Sequence, residues 1–448
     1  MACCAWVKSI TVEPVLLFYM LAIFMQYGIF QDLVYEEVCR TTFNVTVCEN
    51  LHDPIYTECL DTVQNDASMW ILSSTVSLAL PSIISANVLG SWGDRFGRKL
   101  PLVLPSVGGL LSALVYIWMS LCNLSGPVWP ILVASGISGI FGGFVSCIMA
   151  VTSYVSSISS QHSRTARVTV LEAMTFIGGT IGPFAGGGLL SVSSHAAVFG
   201  CIFIFHLIVI AYVLLFVREV VGTETDSSYC SCFHIRDSIT TCFRSRDGCK
   251  RANLMCFLAC CLIIMTIIAG ELDITYLYTK DEPLKWNYQT YSYYFGFKYA
   301  LASLVLIFAT PALNYFLIPD HIICLVGIVS KAVGFVVLGF STTNTMMFIV
   351  PVVSMFSSFC VPSLRSLLSK QVETCELGKM YAFVACVENI CTLLGSLVFN
   401  SLYPITRTFQ KGLIFHFAAV LHIVPFIIMW WTFLSNESAA YTNLNQGG

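Results

Sequence analysis

The chain has 448 residues, of which 56% are hydrophobic and 10% are charged, and its formal net charge is -3. Its mean hydropathy of +0.79 excludes a soluble multidomain protein, because so little polar surface could not solvate so many apolar residues. The basic residues form no continuous face, so the expected partner is the lipid bilayer and not a nucleic acid.

Twelve apolar runs are long enough to cross about 30 Å of hydrocarbon as helices. In chain order they cover residues 12–33, 68–89, 101–121, 128–152, 168–190, 197–217, 253–279, 291–316, 321–341, 345–368, 381–402 and 412–434. The sequence therefore predicts an all-α membrane protein with twelve transmembrane helices.

A long polar segment, 218–252, divides these runs into six and six. We expect an N-terminal six-helix bundle over 1–217, a cytoplasmic linker over 218–252, a C-terminal six-helix bundle over 253–434 and a cytoplasmic tail over 435–448. Most of the 22 Lys and Arg residues fall on the side of the two termini, and the positive-inside bias makes that side the cytosol.

The polar segment 34–67 then lies outside the cytosol. It carries an N-glycosylation sequon at Asn44 and three cysteines, Cys39, Cys48 and Cys59. Disulfides form on that oxidising side, so we expect one bond within this loop, although the sequence alone does not assign the pair.

The loop between the second and third runs reads GSWGDRFGRK, residues 90–99. Its charged side chains cannot remain in hydrocarbon, and its glycines allow the backbone to turn. This spacing resembles the signature loop between helices 2 and 3 of the major facilitator superfamily. The resemblance implies the major facilitator fold, in which two six-helix bundles enclose a substrate cavity near the bilayer midplane. We assign a gating role to Gly90, Asp94, Arg95, Gly97, Arg98 and Lys99.

Seven charged side chains lie within predicted helices 5 and 7 to 11, where a charge is costly and usually faces a cavity or a partner. They are Glu172, Glu271, Asp273, Lys298, Lys331, Arg365 and Glu388. A carboxyl group in a cavity of low dielectric constant takes up protons more readily, as transport coupled to a proton gradient requires. We predict proton coupling at Glu172 and Asp273. We predict substrate binding by Gln26, Glu172, Arg365 and Glu388.

Alternatives stay open for most of these charges. The permanently charged Arg365 suits an anionic substrate or a carboxylate partner. The two acids of the seventh helix could be solvated at its outer end, and the two lysines have stems that reach the interface. Glu172 closely follows Arg164 and Arg167 and could be their structural partner.

Helix 5 contains Gly182-Pro183 followed by three further glycines, which resembles the helix 5 motif of proton-driven antiporters in the same superfamily. Pro183 removes a backbone hydrogen bond and bends the helix, so a structural kink explains the segment equally well. Proton-driven export of apolar drugs is therefore one alternative function.

Further segments together resemble the proton-coupled folate transporter family, solute carrier family 46, over nearly the whole chain. They are Val12-Glu13-Pro14, Ser163-Arg164-Thr165, Leu171-Glu172-Ala173, Pro283-Leu284 with Trp286, Arg365 with Leu368-Ser369-Lys370, Val384-Ala385-Cys386-Val387 and Phe399-Asn400-Ser401-Leu402-Tyr403-Pro404. The resemblance implies proton coupling at Glu172, a place for Arg365 in the binding cavity, and a cytoplasmic gate at Asp94 and Arg98.

The chain departs from that family at three positions. Ile268 stands where the family has a helix 7 histidine linked to proton coupling, and Gly143 stands where it has an aspartate. Lys285 replaces an outer cysteine, so the family's bridge between outer loops cannot form in that way. These departures weaken folate as the specific substrate more than they weaken transport.

The sequence thus predicts a proton-coupled secondary transporter, a symporter of small organic anions such as folate or pterin compounds. Muropeptides and steroid or drug conjugates, the cargo associated with relatives in the family, are alternative substrates. A ligand-sensing receptor without transport is a further alternative. No nucleophile–base arrangement or metal cluster stands out, so an enzyme is not expected. We expect protons as the coupling ion, no cofactor or metal, and a location in the plasma membrane or in endosomes and lysosomes. The oligomeric state stays undetermined.

Overall fold

A computed structural model describes the chain except for residues 1–10, 52, 123–126, 159–160, 221–249, 317, 373–376 and 447–448. The described residues are helical and contain no strand. We number the long helices α1 to α12, and a broken helix keeps one number. They are α1 (Glu13–Thr42), α2 (Thr57–Arg95), α3 (Lys99–Leu121), α4 (Pro130–Ile140 and Gly143–Ile158), α5 (Gln161–Val192), α6 (His195–Phe216), α7 (Lys250–Lys280), α8 (Tyr288–Tyr315), α9 (Asp320–Gly339), α10 (Asn344–Val353 and Cys360–Ser369, joined by the 3-10 turn Met355–Phe359), α11 (Leu377–Phe409) and α12 (Leu413–Leu421 and Ile423–Gln446).

Eleven of the described helices are long and apolar enough to cross a membrane, and each corresponds to one predicted span. The remaining predicted span, 381–402, lies within α11. The prediction of an all-α membrane protein is therefore confirmed. Two short helical segments, Val45–Glu49 and Pro54–Tyr56, connect α1 to α2.

The predicted loop at 90–99 is shorter in the structure than the sequence suggests. Helix α2 continues to Arg95 and α3 begins at Lys99, so Gly90 is helical. Only residues 96–98 lie outside helices, and the turn is made by Gly97, whose φ of +129° favours glycine. The loop is shorter than ten residues because a helix that leaves the hydrocarbon can keep its backbone hydrogen bonds while its side chains are solvated.

The chain forms two compact units. The first comprises Met1–Ser231, Leu272–Ala300 and Ser396–Pro404, and the second comprises Cys232–Glu271, Leu301–Gly395 and Ile405–Gly448. Helices α7, α8 and α11 thus contribute to both. The six-plus-six division at residues 218–252 stays a prediction.

In the first unit, α1 packs against α5 and α6, and α3 packs against α6. Gly178 and Gly182 of α5 lie against the α1 backbone around Met20 and Leu21, where any side chain would collide. Small residues allow such close approach between membrane helices. Gly178 and Gly182 therefore have a packing role in this structure, next to Pro183.

The second unit has its own apolar core, built from α7, α9, α10, α11 and α12. Representative buried residues are Leu258, Ile264, Ile328, Leu364, Val384 and Met429. This core fixes the facing sides of α10 and α11, which carry two of the predicted binding residues.

Candidate functional site

A buried polar network surrounds Asp273 in the first unit. The hydroxyl of Tyr27 on α1 donates to Asp273 Oδ1 over 2.7 Å, and Asn400 Nδ2 on α11 donates to Oδ2 over 2.8 Å. Ser68 on α2 donates to the carbonyl oxygen of Asn400 over 2.9 Å. Asp273 is 5% exposed, so it is not solvated at the end of its helix. Its hydrogen-bond partners among the described residues are neutral, so it can accept a proton without leaving a buried cation unpaired.

Asp32, in the second half of α1, is the centre of another cluster in the first unit. His195 Nε2 lies 2.9 Å from its Oδ2, and Lys280 Nζ lies 3.0 Å from its Oδ1. The Tyr276 hydroxyl donates to the same carboxylate. Sequence patterns did not reveal this cluster, because its three ionisable groups lie at the ends of the predicted spans, where charge is unremarkable.

Arg365 and Glu388 form an ion pair between α10 and α11 in the second unit. Arg365 donates to Glu388 Oε1 over 2.6 Å, and the side chains are 30% and 19% exposed. The structure thus brings two predicted binding residues together and gives Arg365 a carboxylate partner. A charge-assisted bond of this length is strong, yet water reaches both groups.

Glu271 and Lys331 form a more deeply buried pair between α7 and α9. Their Oε2 and Nζ atoms are 2.6 Å apart, and the ammonium group also lies 4.7 Å from the centre of the Phe335 ring. Lys331 therefore points into the second unit and does not extend toward a membrane surface. Glu271 is likewise buried, which removes the alternative that it is solvated.

The turn between α2 and α3 is held by the last turn of α6, by the chain segment that follows α6, and by α4. Glu219 accepts from the Lys99 backbone N–H over 3.0 Å, and the Lys99 ammonium donates to the Leu214 carbonyl over 2.9 Å. Arg98 donates through its guanidinium to the Ser153 carbonyl on α4. The side chains of two predicted gating residues, Asp94 and Arg95, lie outside the described part.

Two other predicted site residues give less information. Glu172 lies on α5, but its side chain is outside the described part of the structure. Arg167, one of its expected partners, pairs with Glu13 of α1 over 2.8 Å. Gln26 is half-buried on α1, and its Oε1 atom is buried with no hydrogen-bond partner among the described residues.

One disulfide links Cys39, near the end of α1, to Cys48 in the loop that follows. Cys59 is free. The bond joins the end of α1 to the short helix Val45–Glu49, beside the exposed Asn44.

These features define a polytopic membrane protein with buried charge pairs and acids inside its helices. The sequence profile of the Major Facilitator Superfamily matches residues 14–396, and the chain belongs to that superfamily. Its superfamily and its relatives are transporters and not enzymes.

Two relatives illustrate its position within the superfamily. The chicken (Gallus gallus) lysosomal proton-coupled steroid conjugate and bile acid symporter SLC46A3 is 27% identical over 446 residues, which cover 95% of this chain and 94% of the relative. The rat (Rattus norvegicus) proton-coupled folate transporter is 28% identical over 393 residues, which cover 84% of this chain and 80% of the relative. The predicted resemblance to the proton-coupled folate transporter family is confirmed.

Solved structures share the same fold. The human organic anion transporter MFSD10 superposes with a TM-score of 0.67 at 14% identity, covering 93% of this chain and 97% of that one. The POT family transporter PepTSo has the same TM-score of 0.67 at 10% identity, covering 95% and 97%. At these identities the likeness concerns the fold alone.

Proposed function

We propose that this chain is a proton-coupled symporter of small organic anions. The observation that carries the proposal is the Arg365–Glu388 pair, a cation and an acid in contact between membrane helices and partly open to water. Protonation of Glu388 would release the guanidinium, which could then bind a substrate carboxylate or sulfate in its place. Binding of a proton and binding of an anion would thereby favour each other.

The names of the relatives support two substrate classes, folates and steroid conjugates or bile acids. The three departures from the folate transporter pattern, at Gly143, Ile268 and Lys285, favour conjugated steroids over folates. Muropeptides and drug conjugates are the remaining alternatives.

Glu172 and Asp273 are proposed as proton-coupling residues in addition to Glu388. Asp273 is supported by its burial among neutral donors, and Glu172 by its place in a segment that resembles the family's coupling helix. Gln26 is a proposed substrate contact because its buried carbonyl oxygen lacks a described partner. Residues 90–99 are the proposed cytoplasmic gate, supported by the contacts that Arg98 and Lys99 make with α4 and the end of α6.

We further propose that both termini are cytoplasmic and that the Cys39–Cys48 loop faces an oxidising compartment, as its disulfide suggests. That compartment is the cell exterior or the lumen of an endosome or lysosome.

The test is uptake by cells that display the chain at their surface, with a labelled steroid sulfate, folate or muropeptide offered at acidic and at neutral pH. We expect acid-stimulated uptake of at least one anion. Glu172→Gln and Asp273→Asn should each reduce the ratio of acidic to neutral uptake while surface expression persists.

Three outcomes would contradict the proposal. Absence of uptake for every anion would reject anion symport, and efflux driven by an opposing proton gradient would indicate a drug antiporter. Ligand binding without flux in proteoliposomes would indicate a receptor.

A further inference from the structure

The Asp32 cluster joins three helices at one end of the first unit. Asp32 belongs to α1, His195 begins α6, and both Tyr276 and Lys280 belong to the last turns of α7. Asp32 is buried, whereas the His195 side chain is 18% exposed and is thus reachable by protons from water. This is the end of the unit that carries the Cys39–Cys48 disulfide.

Two neighbouring hydrogen bonds also attach α7 to the N-terminal helices at this end. Gln31 of α1 donates to the Leu272 carbonyl over 3.2 Å, and Gln64 of α2 donates to the Leu277 carbonyl over 3.2 Å. In the major facilitator mechanism the N-terminal and C-terminal halves separate on one side and then on the other. The contacts of α7 with α1 and α2 must therefore break when this side opens.

Opening would change the counter-ions of Asp32 unequally. His195 and Asp32 both belong to the N-terminal half of the chain and stay together, whereas Lys280 and Tyr276 leave with α7. Unless another cation replaces Lys280, opening removes from the Asp32 carboxylate its lysine counter-ion, which is unfavourable. The imidazole of His195, 2.9 Å away, becomes that cation by binding one proton.

Other charged and titratable groups around His195 do not alter this exchange. On α1 these are Glu36, Glu37, Arg40 and Tyr35, and Arg40 already pairs with Glu36 over 3.3 Å. On α7 the Lys280 ammonium also lies over the Tyr35 ring at 5.1 Å and the Tyr276 ring at 5.6 Å. Tyr288 of α8 is a further described titratable group near Asp32. Among these described groups, Lys280 is the cation that both contacts Asp32 and moves with α7.

We infer that His195 is a proton-binding site of the outer gate, at which Asp32 exchanges the Lys280 ammonium for a protonated imidazole when α7 separates from α1. The inference rests on the proposed transport cycle, and it assigns the gate its own proton, distinct from those at Glu172 and Asp273. The exchange fixes the direction of the pH dependence. When the gate closes, the Lys280 ammonium approaches the carboxylate that His195 also contacts, so closure disfavours the protonated form of His195. By linkage, acid on this side favours the open gate, and neutral pH favours the closed gate.

A metal ion is a poorer occupant of this cluster. The Lys280 ammonium lies 3.0 Å from Asp32 Oδ1, where a divalent cation would have to compete with a fixed positive charge.

Hydrogen–deuterium exchange with mass spectrometry tests the gate without any substrate. The purified full chain in lipid nanodiscs is compared at about pH 5 and about pH 8, the range in which histidine titrates, after correction for the intrinsic pH dependence of amide exchange. We expect the corrected exchange of peptides from residues 272–287 to be at least about fivefold faster at the acidic pH. His195→Gln should exchange slowly at both pH values, and His195→Arg should exchange rapidly at both.

The matched control is His321→Gln, a histidine at the start of α9 in the second unit, which should keep the response of the unmodified chain. Lys280→Met provides a second variant that does not alter the histidine, and it should exchange rapidly at both pH values because the closing cation is gone. A pH response that survives in His195→Gln, or no response in the unmodified chain, would overturn the inference. Acid-stimulated uptake without a His195-dependent change in hydrogen exchange would reject the gate and leave the proposed transport. A His195-dependent change in hydrogen exchange without any uptake would reject the proposed transport and leave the gate.

Discussion

Arg365 is the residue whose environment bears most directly on substrate binding. Its guanidinium is paired with Glu388 and yet is partly open to water, so an anion can compete for it without crossing an apolar barrier. A fully buried pair would lack this property, and the Glu271–Lys331 pair in the same unit shows the contrast.

Replacing Arg365 with alanine should raise the KM for the transported anion about tenfold or more, because a hydrogen bond to a charged group contributes roughly 1.5–3 kcal/mol. The KM of Arg365→Lys should lie between those of the unmodified chain and Arg365→Ala, since an ammonium group keeps the charge but lacks the planar, two-pronged geometry of the guanidinium. Concentration-dependent uptake measures both variants. Lys370→Ala is the control, a cation just after the end of α10 that is 62% exposed and paired with Asp320. If both alanine variants give the KM of the unmodified chain, Arg365 does not bind the anion.

The Glu271–Lys331 pair should behave as a structural element. Lys331→Met alone leaves a buried carboxylate uncompensated, which costs about 3–5 kcal/mol, and the double variant Glu271→Gln with Lys331→Met should recover most of that loss. The thermal unfolding temperatures of these variants in detergent rank them by stability. Lys370→Met, which breaks an exposed pair, should change stability by less than about 1 kcal/mol. A double variant no more stable than Lys331→Met would show that the pair does not act as a unit.

At the scale of elements, the turn between α2 and α3 depends on a single backbone conformation. Gly97 has φ of +129°, and a Cβ atom there would also collide with the Glu219 carboxyl group. Gly97→Ala should therefore lower stability by more than about 1 kcal/mol and reduce the yield of monodisperse protein.

Gly200→Ala on α6 is the matched control for that substitution, because a Cβ atom at position 200 meets nothing within 4 Å. Alanine favours a helix over glycine by about 1 kcal/mol, so this variant should be as stable as the unmodified chain or more stable. Both are compared by the temperature at which half of the protein remains monodisperse. If Gly97→Ala remains monodisperse to the same temperature as the unmodified chain, the turn can rearrange.

The helices themselves could be predicted from sequence, but their interruptions could not. Apolar length alone identifies a membrane span, since every backbone polar group must be satisfied within it. The break of α4 occurs at Gly142 and Gly143, whose φ angles of +99° and +59° depend on packing against neighbouring helices. The glycine pair in the run 128–152 permits such a break, but the run also contains Gly136 and Gly139, which stay helical.

At the scale of the whole molecule, every proposal depends on the orientation of the chain in the membrane. If the loop after α1 lies outside the cytosol, Asn44 should carry a glycan, and Asn44→Gln should abolish the mobility shift produced by glycosidase treatment. Asn436→Gln is the control, because its sequon belongs to the proposed cytoplasmic tail and should never be modified. A glycan on Asn436 would reverse the topology and place the Asp32 cluster on the cytosolic side.

By itself the sequence determined the lipid environment, the twelve spans, the superfamily and the residue types that could bind an anion or a proton. Apolar runs and the ten-residue signature at 90–99 are local patterns, so they can be recognised before the fold is known. Only the tertiary structure decided partners: Glu388 for Arg365, Lys331 for Glu271, and His195 and Lys280 for Asp32. An ion pair joins residues far apart in the chain, and whether a charge is balanced depends on which helices pack together. That packing depends on the shapes of many side chains at once, and no single stretch of sequence records it.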